Sequence, residues 1–125
     1  MIRGIGIDLV EIGRIERAVE RWGQRFLGRV FCPEETARCL KRAKPASCLA
    51  LRFAAKEAFA KALGLGIRSG LTWHDIEVVN DELGRPGLRL KTRAQELLGS
   101  VGAERTWLSL SDESTIAAAV VVLEG

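Results

Sequence analysis

Long hydrophobic runs are missing from this 125-residue chain, and with them any segment able to cross a membrane as a helix. The first apolar stretch is interrupted by Asp8 and Glu11, so it does not read as a secretory leader, and a cytoplasmic location is the expectation. Cysteine is scarce and odd in number. Cys32, Cys39 and Cys48 have no CxxC spacing, which signals neither a zinc site nor a disulfide framework, and they read as reduced thiols. Histidine occurs once, at His74 ahead of a strand, where a surface role is expected. Low-complexity segments and internal repeats are also lacking, leaving one globular domain over residues 1–125. The net charge of +3 is too small for a dedicated nucleic-acid binder.

What is present is a succession of short amphipathic elements. Residues 2–10, IRGIGIDLV, alternate glycine with isoleucine, as a buried strand does when another backbone comes close. A strand is placed over Ile2 to Asp8. Asp8 at its end either reaches a ligand or caps the next helix, and the two readings are compatible. From Glu11 to Trp22 the apolar Ile12, Ile15, Val19 and Trp22 keep helical spacing, with Trp22 and Phe26 expected in the core. Opposite them Arg14, Arg17, Arg21 and Arg25 form one stripe if the helix continues through Gly23. Such a face is usually solvated, but a row of arginines is also how a protein docks an acidic partner.

Phe26 to Phe31 reads as a short apolar turn, and Pro33-Glu34-Glu35 starts a helix with acids where its dipole favours them. That helix ends near Lys44-Pro45. The connection is basic, and Ser47 is expected to cap a long central helix. Beyond that helix, the alternation over Asp75–Val79, the Gly84-Arg85-Pro86 turn and Leu88–Leu90 predict a hairpin. Thr92 to Leu98 is a helix closed by Gly99. Trp107–Ser111 and Ile116–Leu123 are strands, the second apolar enough to be central or at a subunit interface. The order predicts an α+β fold with a small antiparallel sheet around one long helix.

That helix, RFAAKEAFAKALGLG at residues 52–66, holds the charges of interest. Its alanines favour helix and let another chain approach, and so apolar a helix is packed on most sides. At about 100° per residue, Glu57 and Lys61 fall on one side of the helix, with Arg52 and Lys56 on another. A carboxylate among three cations suits an anionic ligand and a metal. The simpler reading is an i,i+4 pair of Glu57 with Lys61 and two solvated cations.

Five stretches in order, GIGIDLVEIGRI (4–15), FCPEE (31–35), RFAAKEAFAKALGLG (52–66), DELGRP (81–86) and LSLSDE followed by AAAVVVLE, resemble holo-acyl-carrier-protein synthases. These are small 4′-phosphopantetheinyl transferases, and the resemblance spans nearly the full length. It implies transfer of phosphopantetheine from coenzyme A to a serine of apo acyl carrier protein, within fatty acid biosynthesis. It also implies magnesium held by Asp8 and Glu57, and Lys61 near the reacting phosphate. Coenzyme A would be met by Arg52, Lys56, Lys61, Lys44, Gly64 and Gly66. Many members have histidines where this chain has Trp107 and Asp112; Asp112 would repel a phosphate, which leaves Ser111 or backbone to serve. Arg14, Arg21 and Arg25 become the expected contacts for an acidic carrier protein, and the assembly implied is a homotrimer with sites between subunits. The alternatives are carrier domains of polyketide or peptide synthases as substrates, and a non-catalytic RNA-binding module.

Overall fold

Alternation in the final strand builds the centre of the molecule. Along β5 (Ile116–Glu124) the residues Ala117, Ala119, Val121 and Leu123 are buried and the ones between them are not. One face of the sheet is thereby committed to a core. A computed structural model describes residues 1–125 and gives the order β1 (Ile2–Glu11), α1 (Ile12–Trp22), α2 (Gln24–Val30), α3 (Pro33–Leu40), α4 (Pro45–Ala62), β2 (Ile76–Asn80), β3 (Pro86–Leu90), α5 (Thr92–Ser100), β4 (Arg105–Glu113), β5. The strands form an antiparallel sheet in the order β1-β5-β4 and a separate hairpin β2-β3. The expected α+β architecture, with β5 central, is the one observed.

The helix α4 lies across the inner face of the three-stranded sheet. Leu49, Ala50, Phe53, Ala54, Ala55, Ala58, Phe59 and Ala60 are all buried, and they join one apolar cluster with Val10, Ala119, Val121 and Leu123. Small residues on both sides let strand and helix touch backbone to backbone. A Cβ at Gly6 would collide with the carbonyl of Ala58, and one at Gly4 with that of Ala62. The other face of the sheet is uncovered. Ile5, Ile7 and Leu9 are 62%, 58% and 66% exposed, beside Val120, Val122 and Trp107 in register.

Several local expectations are corrected. β1 runs on to Glu11, so Asp8 lies inside the strand and caps nothing; the residue before α1 is Glu11, whose side chain makes no cap. Residues 26–31 belong mostly to the helix α2, and the stripe of arginines breaks at Gly23, whose φ of 52° ends α1. Ser47 sits inside α4, which starts with Pro45 at its first turn. α5 passes Gly99, and the chain turns at Gly102, where φ is 77°. Trp22 is 48% exposed, its ring facing Arg21 and Arg25, and only Phe26 packs against the core. Cys39 and Cys48 form a disulfide, leaving Cys32 as the free, buried thiol. The short turn between α3 and α4 brings these two residues to a Cα separation of 5.3 Å, a relation that sequence spacing does not reveal.

Gly6→Ala is expected to push β1 away from α4 and to cost about 1–3 kcal/mol, the usual range for overpacking. Urea unfolding measures it, and an unchanged midpoint would show that strand and helix do not need this contact. Opening the Cys39–Cys48 bond should cost about 2–3 kcal/mol through the short loop it closes. Unfolding with and without reductant tests this, with Cys39→Ser/Cys48→Ser as the variant insensitive to reductant.

Candidate active site

Gly4, Gly6 and Asp8 share the inner face of β1, because alternate residues of a strand do. With no side chain at the two glycines, the strand carries Asp8 onto the last turns of α4. There Lys61 Nζ donates to Asp8 Oδ1 at 2.8 Å and to the Ile7 carbonyl at 3.1 Å. The Asp8 side chain is 13% exposed and that of Lys61 52%, so a largely buried carboxylate meets a half-exposed lysine. Glu57, one turn earlier on α4, is half-buried. Burial raises the proton affinity of its carboxyl, the neighbouring Asp8 carboxylate raises it further, and Lys61 and Arg14 oppose both. Lys61 is therefore paired with Asp8 across the strand, and not with Glu57 along the helix.

The other two cations of α4 separate from this group. Lys56 is fully buried, donating to Glu35 Oε1 at 2.7 Å and to the Trp73 carbonyl at 3.0 Å. Burial lowers its affinity for the proton, while Glu35 supports the charge. Glu35 also accepts from the backbone N–H of Cys32 and of Val78, both at 2.8 Å, so the pair ties α3, α4 and β2 together. Lys56 is thus a core residue, closed to solvent and bonded to Glu35 and Trp73, which corrects the expectation that it meets coenzyme A. Glu35 looks in sequence like a first-turn acid; its capping bond to Cys32 is the only part of its role with a local signal.

Arg52 is 5% exposed. Its Nη2 donates to Asn80 Oδ1 at 3.0 Å and its Nη1 to Cys48 Sγ at 3.2 Å, while its buried Nε has no partner. Burial lowers its proton affinity. It borders a groove of about 510 Å³ that Arg42, Lys44, Ser47, Asn80, Pro86 and Asp112 help to line. Asn80 and Pro86 carry no motif of their own and enter only because the β2-β3 hairpin folds over α4. Asp112 faces this groove, whereas Ser111, next to it on β4, is exposed and belongs to the opposite face of the sheet. Within one chain Ser111 and Arg52 therefore lie on opposite sides of the sheet.

Gly64 and Gly66 follow α4 with φ of 82° and 81°, a region that glycine enters without strain. Open space surrounds both. They adjoin Lys61 but not the groove. Nine residues of helix put Arg52 and Lys61 roughly 14 Å apart along the axis and about 180° apart around it. The candidate coenzyme A residues therefore form two clusters on opposite sides of α4.

A third feature runs along α1 and α2. The Arg14 guanidinium lies 5.5 Å from the Phe53 ring centre, and those of Arg21 and Arg25 lie 5.0 and 5.8 Å from that of Trp22. Although the helix breaks at Gly23, Arg21 and Arg25 stay together through the shared ring. His74 is exposed, its Nε2 2.6 Å from the Gly28 carbonyl, as a surface residue would be.

Acids from a strand and a helix beside a mobile ammonium, with a cationic groove behind the helix, suit the handling of phosphate. The profile of the 4′-phosphopantetheinyl transferase superfamily matches residues 4–120, and the chain belongs to that superfamily. Within it the similarity is to holo-[acyl-carrier-protein] synthases. That of Geobacter metallireducens is 52% identical over 124 residues, covering 99% of this chain and 98% of the relative. That of Yersinia pseudotuberculosis (serotype O:1b, strain IP 31758) is 48% identical, covering 98% of both. Among solved structures, the synthase of Neisseria meningitidis superposes with a TM-score of 0.91 at 43% identity over the whole of both chains. The Helicobacter pylori synthase in complex with coenzyme A gives 0.85 at 34% identity, covering 96% of this chain and 99% of that one.

Proposed function

We infer that the chain transfers the 4′-phosphopantetheine group of coenzyme A to a serine hydroxyl of apo acyl carrier protein, giving holo carrier protein and adenosine 3′,5′-bisphosphate. Full-length similarity to synthases of that name supports the reaction. The observation that carries the chemistry is the meeting of Asp8, Glu57 and Lys61 where β1 crosses α4.

Attack on the phosphorus builds negative charge on phosphoryl oxygens. A cation already in position lowers that barrier without reorganising solvent. Lys61 is the group for this: its stem is long, its side chain is half-exposed, and the open glycine loop beside it leaves room for a phosphate. The incoming serine must lose a proton, and Glu57, with its raised proton affinity, accepts it. Asp8 and Glu57 also suit magnesium: they are two hard oxygen ligands, and their mutual repulsion is of the kind that a divalent ion relieves. When bound there, the ion supplies charge neutralisation at the phosphates.

Arg52, Arg42 and Lys44 receive the 3′-phosphate of coenzyme A at the groove they line, with Asp112 subtracting charge. Because Arg52 and Lys61 lie on opposite sides of α4, one substrate molecule engages both clusters only when they come from different chains. The uncovered face of Ile5, Ile7, Leu9, Val120 and Val122 supplies an apolar surface for that assembly, a homotrimer in this reading. Arg14, Arg21 and Arg25 dock the acidic carrier protein, in the cytoplasm and in service of fatty acid synthesis.

Mass spectrometry of apo carrier protein incubated with the chain, coenzyme A and magnesium should show the phosphopantetheine adduct. Glu57→Gln should give none, yet melt higher than wild type in EDTA near neutral pH. The sign follows from the raised carboxyl. Burial and Asp8 penalise the ionised form, so the destabilisation is complete above the folded-state value and disappears as pH falls below the ordinary 4.5. Adduct formation by Glu57→Gln at the wild-type rate would sink the assignment. Reversing charge at Arg14 and Arg21 is expected to raise KM for carrier protein about tenfold or more, as loss of complementary interface charge does, with little change for coenzyme A. Equal effects on both substrates would refute the docking face.

A further inference from the structure

The strongest ion pair at the site joins two residues that the reaction needs for other purposes. Asp8 is held by a strand paired along its length to β5 and pressed onto α4, so its carboxylate stays where it is. Lys61 stands on the last turn of α4, just before the glycine loop, with half of its side chain in solvent. Its ammonium closes on Asp8 Oδ1 and the Ile7 carbonyl. No other cation is paired with Asp8, and Glu57 beside it adds a second negative charge.

We propose that Lys61 is the resident counter-ion of Asp8 in the metal-free protein, and that it is handed from Asp8 to the phosphate of the substrate when a divalent ion takes Asp8. This rests on the reading of Asp8 and Glu57 as the metal ligands given above. Without a cation the Asp8 and Glu57 carboxylates would be left to repel each other where β1 crosses α4. Lys61 neutralises the pair in that state. Once Asp8 binds a doubly charged ion, the ammonium is repelled from the carboxylate and left with a single carbonyl. A phosphate oxygen arriving beside the glycine loop offers it a full charge again. One flexible side chain thereby links the order of loading: the metal frees Lys61, and freed Lys61 favours the phosphate. The linkage is reciprocal, so substrate that captures Lys61 strengthens metal binding.

The test uses Mn2+ as the probe, titrated into EDTA-stripped, full-length protein and followed by electron paramagnetic resonance, which reads free Mn2+ independently of turnover. Lys61→Met and Lys61→Gln remove a half-exposed charge and are expected to fold, as circular dichroism would verify. Both should bind Mn2+ roughly two- to fivefold tighter than wild type, the factor that an exposed ion pair represents. Lys61→Arg, which keeps the charge, should match wild type. Coenzyme A should tighten Mn2+ binding by wild type more than by Lys61→Met, which has no competing ammonium to release. Equal or weaker binding by Lys61→Met and Lys61→Gln, with Asp8→Ala weaker than wild type, would overturn the hand-over and leave the metal ligands standing. Asp8→Ala binding as wild type does would remove the ligand assignment and the hand-over with it.

Discussion

A strand pressed onto a helix with no side chain between them is the constraint on which the rest depends. Gly4 and Gly6 admit the carbonyls of Ala62 and Ala58 into the space that a Cβ would fill. Two residues further along the same face, the first side chain that can appear is Asp8. It emerges against the last turns of α4, where Lys61 and Glu57 are waiting. A larger residue at either glycine would set the acid a layer further out. The close contact is thus a positioning device as much as a packing one, and it explains why alanine dominates the strand-facing side of α4.

The charges of α4 show how differently neighbouring residues on one helix are treated. Lys56 and Arg52 are both buried, yet Lys56 Nζ is bonded to Glu35 and Trp73, whereas Arg52 keeps one nitrogen without a partner. A buried donor left open is costly, and it persists where something else completes it. Lys56 ties α4 to α3, and Arg52 ties it to the β2-β3 hairpin through Asn80. Glu57 and Lys61, on another side of the same helix, retain partial access to solvent.

The types of the main elements were legible because local periodicity determines them: the alternation of β5, the hairpin turn at Gly84, the alanine-rich α4. The motifs around Asp8, Glu57 and Lys61 singled out three residues that the fold brings together. What was not legible depends on tertiary partners. Nothing near Lys56 in sequence announces Glu35, 21 residues away, nor does anything near Arg52 announce Asn80, 28 residues away. Asp8 read as a strand end because glycine and isoleucine obscure the continuation to Glu11. Trp22 read as core because its helical spacing matches Ile12 and Ile15, yet α1 ends there and the ring turns to the arginines. The Cys39–Cys48 bond depends on how the turn between α3 and α4 closes.

The alternation of β5 also separates two kinds of change. Ala117, Ala119, Val121 and Leu123 answer to α4, and Ala118, Val120 and Val122 answer to whatever meets the outer face. Substitutions on the second set leave the inner packing in place, and those on the first leave the outer surface unaltered. Along a single nine-residue strand, the packed face and the open face are therefore written in alternate letters, and mutational drift can revise one while preserving the other.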